Sequence, residues 1–193
     1  MKTSIGAKDI VFPTPVFIVG TYGEDRKPNA MNVAWGGICS SNPPCIAISI
    51  RRQRCTYENI LKRRAFTVNI PSAKYVTEAD YFGMVSGKIA DKFKTTGLTP
   101  VKGDKVDAPY IQEFPFNIEC KVIDIFQISE HTQIIGEILD IKVNDEFINK
   151  HGLPDIDELK PLLFDPAGSR YHVTGNAVEH AFSAGKAFMA SEK

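Results

Sequence analysis

The chain has 193 residues, enough for one domain with a substantial core, and is 43% hydrophobic and 24% charged, the balance of an ordinary globular protein. Its 23 basic and 23 acidic residues cancel, which excludes the broad basic footprint that bulk nucleic-acid binding demands. No stretch approaches the roughly 20 apolar residues that span a bilayer. The start, MKTSIGAKDIVF, has no long apolar run ahead of a cleavage site, so the expected location is the cytoplasm, away from membranes.

In chain order, residues 15–22 (PVFIVGTY) read as a strand between Pro15 and Gly23. GEDRKPN is rich in chain breakers and turns it, and a second strand over about 30–38 completes a hairpin. SSNPP makes another turn, and CIAISI is a third strand, apolar or small on both faces. A helix is expected over about 56–63, with Thr56 as N-cap and Tyr57, Ile60 and Leu61 on one face. AFTVNIP (65–71) reads as a strand ending at Pro71, residues 74–84 as helical, and GKIADKF as a further helical turn. From 116 to 122, FNIECKV alternates apolar and polar. The alternation breaks at Ile123 and Ile125, which signals a bulge or a strand covered on both sides. TQIIGEILDIKV (132–143) is another long strand, followed by a short polar helical stretch at about 145–159 and a weak helical pattern in the tail from Ala177. Six or more mostly antiparallel strands with short helices make a mainly β domain spanning 1–193, either a small barrel or an open α+β sandwich.

Four stretches carry candidate chemistry. Arg51, Arg52 and Arg54 sit between a buried strand and a helix start. Unsatisfied helix N–H groups, the helix dipole, bidentate guanidinium groups and the Thr56 hydroxyl together suit a phosphate, whereas a solvated basic edge is the plainer reading. KPNAMNVAWGGICSSNPP contains Asn29, Met31, Asn32 and the sole tryptophan, Trp35. These side chains suit either a flat heterocycle or a hairpin with a core tryptophan. Lys92 beside Phe93 suits a second anion or an exposed helical turn. His131, between two long strands, is either a polar turn residue or a proton carrier. The cysteines, Cys39, Cys45, Cys55 and Cys120, form no C-x-x-C pair and lack closely spaced histidine partners. They read as free thiols, with no metal site.

Taken together, TPVFIVGTY, KPNAMNVAWGGICSSNPPCIAISIR, RRAFTVNIPS, ADYFGMVSGKIADKF and EHTQIIGEILD resemble the flavin reductase-like family of FMN-binding split β-barrels, nearest its flavoredoxin-like members. The resemblance covers nearly the whole chain and implies a bound FMN. Asn29, Ala30, Met31 and Trp35 would line the isoalloxazine and ribityl region, and Ser49, Ile50 and Arg51 the flavin's other edge. Arg54, Cys55 and Thr56 would hold the phosphate, and Lys92 would approach the cofactor. His131 would stand at the reactive face as the catalytic candidate, and Phe164 would cover the ring. The resemblance also implies a homodimer with FMN near the subunit interface. It leaves the electron donor open between NADH, NADPH and a carrier protein. The expected function is electron transfer or reduction of a small acceptor. The rivals are a non-redox FMN-binding or storage module and an oligosaccharide- or single-strand-binding barrel, the last disfavoured by the neutral charge balance.

Overall fold

The computed structural model describes residues 1–189. Seven strands form one antiparallel sheet in the order β3-β2-β6-β9-β10-β5-β4. These are β2 (Phe17–Tyr22), β3 (Pro28–Val33), β4 (Gly36–Ser41), β5 (Pro44–Arg51), β6 (Ala65–Ile70), β9 (Phe116–Ile128) and β10 (His131–Val143). A short first strand, β1 (Thr14–Pro15), pairs with β11 (Leu162–Asp165), which pairs with β12 (Arg170–Val173), while β7 (Pro100–Lys102) pairs with β8 (Pro109–Ile111). The helices are α1 (Cys55–Arg63), α2 (Val76–Met84), α3 (Lys92–Thr96), α4 (Ile156–Leu159) and α5 (Lys186–Met189).

The large sheet is curled. Met31 and Val33 of β3, at one end of the strand order, share a core with Ile46, Ile48 and Ile50 of β5 near the other end. Phe66, Val68, Ile118, Cys120 and Ile134 fill the same interior, and Ile60 of α1 packs into it. β3 and β5 come together without a ladder between them, so the barrel is split along that seam. A second core lies on the other side of β2 and β3, where Val16, Ile18 and Ala30 meet Ala79 and Phe82 of α2 and Phe93 of α3. The Phe82 and Phe93 rings stand 5.6 Å apart. Each fully buried ring contributes roughly 1.5–3 kcal/mol of burial energy. β12 closes over this layer through Tyr171, whose hydroxyl donates to Asp80 Oδ1 at 2.8 Å.

The sequence-based elements need five corrections. Residues 30–38 are two strands, because the chain leaves β2 and joins β5 at the opposite end of the order, breaking at Ala34–Trp35. The N-cap position of α1 is Arg54, whose side chain makes no capping bond, and Thr56 lies inside the first turn. The stretch 145–159 holds only a 3-10 turn, Asp145–Phe147, and the short α4. The tail from Ala177 is helical only at α5, and its last four residues lie outside the described residues. The short strands β7, β8, β11 and β12 went unread. The break at Ile123 is a β-bulge: Ile135 faces Asp124 and Gly136 faces Val122, leaving Ile123 without a partner on β10.

One buried carboxylate holds the far end of the barrel. Glu119 is fully buried, and its oxygens accept from the backbone N–H of Asp104, Lys105 and Val106 at 2.7–3.2 Å and from Lys142 Nζ at 3.1 Å. Lys142 also meets Asp104 and Asp140, and these acidic partners raise its pKa above that of an ordinary lysine. Among the described residues no helix is long and apolar enough to cross a membrane.

Candidate functional site

The site lies at the seam, where β3, β5 and α1 converge. Arg54 enters α1 with an extended backbone (φ −75°, ψ 136°) and no side-chain cap. First-turn N–H groups lack intrahelical acceptors, and the helix dipole favours negative charge beside them. Thr56 is buried in that turn and its Oγ1 accepts from Asn29 Nδ2 at 3.0 Å, tying α1 to β3. Gly87 packs so closely on Asn29 that a Cβ there would sit 2.0 Å from Asn29 Oδ1. Only glycine fits without moving the asparagine.

Lys92 closes this crevice from below. It opens α3 after Asp91, whose carboxylate caps Lys94 N–H at 3.1 Å. The residue is 4% exposed, and its Nζ donates to the Phe82 carbonyl at 3.0 Å. Among the described residues it forms no ion pair. Burial lowers its pKa from 10.5 to about 8, with Cys55 opposing the fall and Arg54 adding to it. A buried ammonium with N–H groups to spare and no counter-ion is a demand for an anion. The crevice brings together Asn29, Met31, Arg54, Cys55, Thr56 and Lys92.

Met31 and Arg54 also line an adjoining cleft of about 370 Å³ with Trp35, Ser49, Ile50, Arg51 and His131. Trp35 is half-buried at the β3–β4 break and accepts from Ser49 N–H at 2.8 Å, so it is not a core tryptophan. His131 starts β10 directly across from Arg51. Glu130 joins them: its Oε1 accepts from Arg51 Nη2 at 3.0 Å and lies 3.8 Å from His131 Nδ1.

Two sequence candidates stand apart. Ala30 is fully buried and packs in the second core, so its methyl group lines neither cavity. Phe164 lies on β11, 5.8 Å from the Tyr171 ring, in a separate apolar pocket of about 520 Å³ with Phe12, Pro13 and Leu163. Residues that sequence reasoning missed include Gly87 and Glu130. Gly87 opens the stretch GKIADKF, which reads as a helical turn, and nothing near it in the chain points to Asn29. All four cysteines are free: Cys39 is exposed, Cys55 half-buried, and Cys45 and Cys120 buried. Burial raises the Cys120 thiol pKa well above the ordinary value, as befits a core residue.

Residues 9–172 match the flavin reductase like domain. The chain belongs to that family. Among solved structures it is similar to the flavoredoxin of Desulfovibrio vulgaris (Miyazaki F), with 50% identity and a TM-score of 0.93 over 96% of this chain and 100% of that one. It is also similar to a flavoredoxin from Methanosarcina acetivorans, with 28% identity and a TM-score of 0.91 over 98% of this chain and 100% of that one. By sequence it is 24% identical over 128 residues, 66% of this chain and 64% of the other, to a flavin reductase (NADH) of Kitasatospora aureofaciens. The flavin this family implies fits the residues present. The uncapped start of α1, Arg54 and the uncompensated Lys92 form a place for a phosphate, and the adjoining cleft offers Trp35 and polar groups for a ring.

Proposed function

We propose that the chain is an FMN flavoprotein of the flavoredoxin type, which transfers electrons or reduces a small acceptor through its cofactor. The observation that carries the reading is Lys92, a buried cation with no counter-ion among the described residues, set beside Arg54 and the first turn of α1. Bound FMN would supply the redox chemistry, accepting electrons singly or as a hydride. The protein's own residues bind and orient it. Arg54, Thr56 and the helix N–H groups hold the phosphate, with Cys55 beside them. Lys92 brings positive charge from beneath. Asn29 and Met31 would flank the ribityl chain, Trp35 would cover part of the ring, and Ser49, Ile50 and Arg51 would lie along its other edge. His131 has Nδ1 turned towards Glu130, so Nε2 is the atom left to hold or move a proton in the cleft.

The test is the visible spectrum of the purified protein before and after anaerobic NADH or NADPH. A flavin spectrum that bleaches promptly with either identifies a nicotinamide-dependent reductase. One that bleaches only with dithionite identifies a carrier fed by another protein, or a storage module if no redox protein then exchanges electrons with it. A spectrum without flavin, even after incubation with FMN, overturns the reading. His131→Ala should spare FMN binding and slow reduction; loss of flavin with normal turnover per bound flavin would place His131 elsewhere.

We place the protein in the cytoplasm as a homodimer. In support, β9 and β10 expose Ile123, Phe126, Ile128, Leu139 and Ile141, each 39–52% accessible, a density of apolar residues that calls for cover. Light scattering on a sizing column that returns the monomer mass would refute the assembly.

A further inference from the structure

Four polar residues of the 370 Å³ cleft come from two chain junctions that are distant in sequence. Arg51 ends β5 and Arg54 leads into α1, while Glu130 lies in the turn after β9 and His131 opens β10. Gln127, on β9, is not among the residues lining that cleft, yet its side-chain amide touches both junctions. Oε1 accepts from Arg52 Nε at 2.8 Å and from Thr132 Oγ1 at 3.1 Å. Nε2 donates to the backbone carbonyls of Ser129 and, at 3.3 Å, of His131. The orientation of the amide is chemically fixed, because a guanidinium only donates and a carbonyl only accepts.

The turn it grips is strained. His131 faces Ile128 in the ladder, so Ser129 and Glu130 alone make the turn. Ser129 sits at φ 49°, a left-handed conformation that costs a non-glycine residue roughly 1 kcal/mol or more. Strain of this kind persists only where the surroundings over-determine the backbone, and the Gln127 amide supplies two bonds to that segment. Arg51 and Glu130 add a second link between the same two turns.

We propose that Gln127 is a positioning residue of the cleft: its amide clasps the turn carrying His131 to the turn carrying Arg51 and Arg54. Its side chain does not line the cleft. It fixes the distance between the imidazole and the anion-binding corner, so that both address one bound molecule. The functional consequence rests on the flavin reading above, but the structural claim does not.

The test uses full-length protein with ¹³C-labelled histidine, in the flavin-free form, as wild type, Gln127→Ala, Arg52→Ala and Gln127→Ala/Ser129→Gly. The His131 cross-peak, assigned with His131→Ala, should shift and broaden in Gln127→Ala while those of His151, His172 and His180 stay in place. Glycine adopts the left-handed conformation without steric cost, so adding Ser129→Gly should return the cross-peak towards its wild-type position. In the flavin-loaded protein, the reduction rate of Gln127→Ala should fall about three- to tenfold, the worth of one net hydrogen bond, while flavin affinity holds because Arg54 and Thr56 are untouched. A His131 cross-peak that coincides with wild type overturns the clasp. So does a His131 cross-peak that stays in place in Arg52→Ala, which removes the donor at the other end of the clasp. If no flavin binds at all, the proposed function falls and the histidine spectrum still decides the clasp.

Discussion

Replacing Lys92 with methionine should make the flavin-free protein more stable and the flavin complex weaker. The side chain is 4% exposed, and its pKa falls from 10.5 to about 8 through burial. At roughly 1.4 kcal/mol per pKa unit, keeping the ammonium charged inside the fold costs about 3 kcal/mol at pH 7. Methionine fills nearly the same volume but leaves the Phe82 carbonyl without its donor, which returns about 1 kcal/mol of that gain. The net is a stabilisation of about 2 kcal/mol, or a rise in Tm of roughly 4–8 °C for a chain of this size. A lysine with a folded pKa below its unfolded one penalises the fold in full below about pH 8, and the penalty disappears as pH rises to 10.5. Urea or thermal unfolding of the flavin-free wild type and Lys92→Met at pH 7 and pH 10.5 tests this. The advantage of the variant should be present at the lower pH and gone, or reversed by the lost hydrogen bond, at the higher. Titration with FMN at pH 7 should show the opposite sign, a loss of roughly ten- to a hundredfold in affinity. A variant that is less stable at pH 7, or equally advantaged at both, would refute the account of Lys92 as a charge awaiting an anion.

Arg54→Ala removes one charge-assisted contact and should lower FMN affinity about ten- to a hundredfold by equilibrium titration, with the fold intact by circular dichroism. Gly87→Ala places a methyl group 2.0 Å from Asn29 Oδ1. It should cost roughly 1–3 kcal/mol of stability in urea and weaken FMN binding by displacing Asn29 from Thr56. Glu119→Ala strands the three backbone N–H groups of 104–106 and removes one of the three acidic partners of Lys142. It should destabilise by about 3–5 kcal/mol in the same assay while leaving flavin affinity per folded molecule unchanged.

The anion corner was legible in the sequence because its signal is local: a strand, an arginine cluster and a helix start lie within one short stretch. Thr56 was misread as a cap because the hydroxyl that suits an N-cap equally suits a buried bond, and Asn29 claims it. The bulge at Ile123 showed in the alternation itself. The pairing of β11 with β1 did not, because LLFD and TP are too short to carry a period and their partnership spans most of the chain. The break at Ala34–Trp35 was hidden for a related reason. Nothing in AMNVAWGGI says that its two halves pair at opposite ends of one sheet. Gln127 and Glu130 look like ordinary polar residues beside a turn until Arg51 and Arg52 are placed opposite them.

The seam has one more consequence. β3 and β4 are the outermost strands of the seven, and each has a ladder on one side only. The contact of β3 with β5 and α1 is made by side chains, with Asn29–Thr56 its buried polar tie. A ligand seated across that gap bridges two stretches of backbone that the sheet itself leaves unlaced, and so acts as an extra rung. Its binding energy should then appear unevenly in amide hydrogen exchange. Protection should rise most at Asn29–Val33 and the first turn of α1, and least in β6 and β9, whose ladders are already complete on both sides.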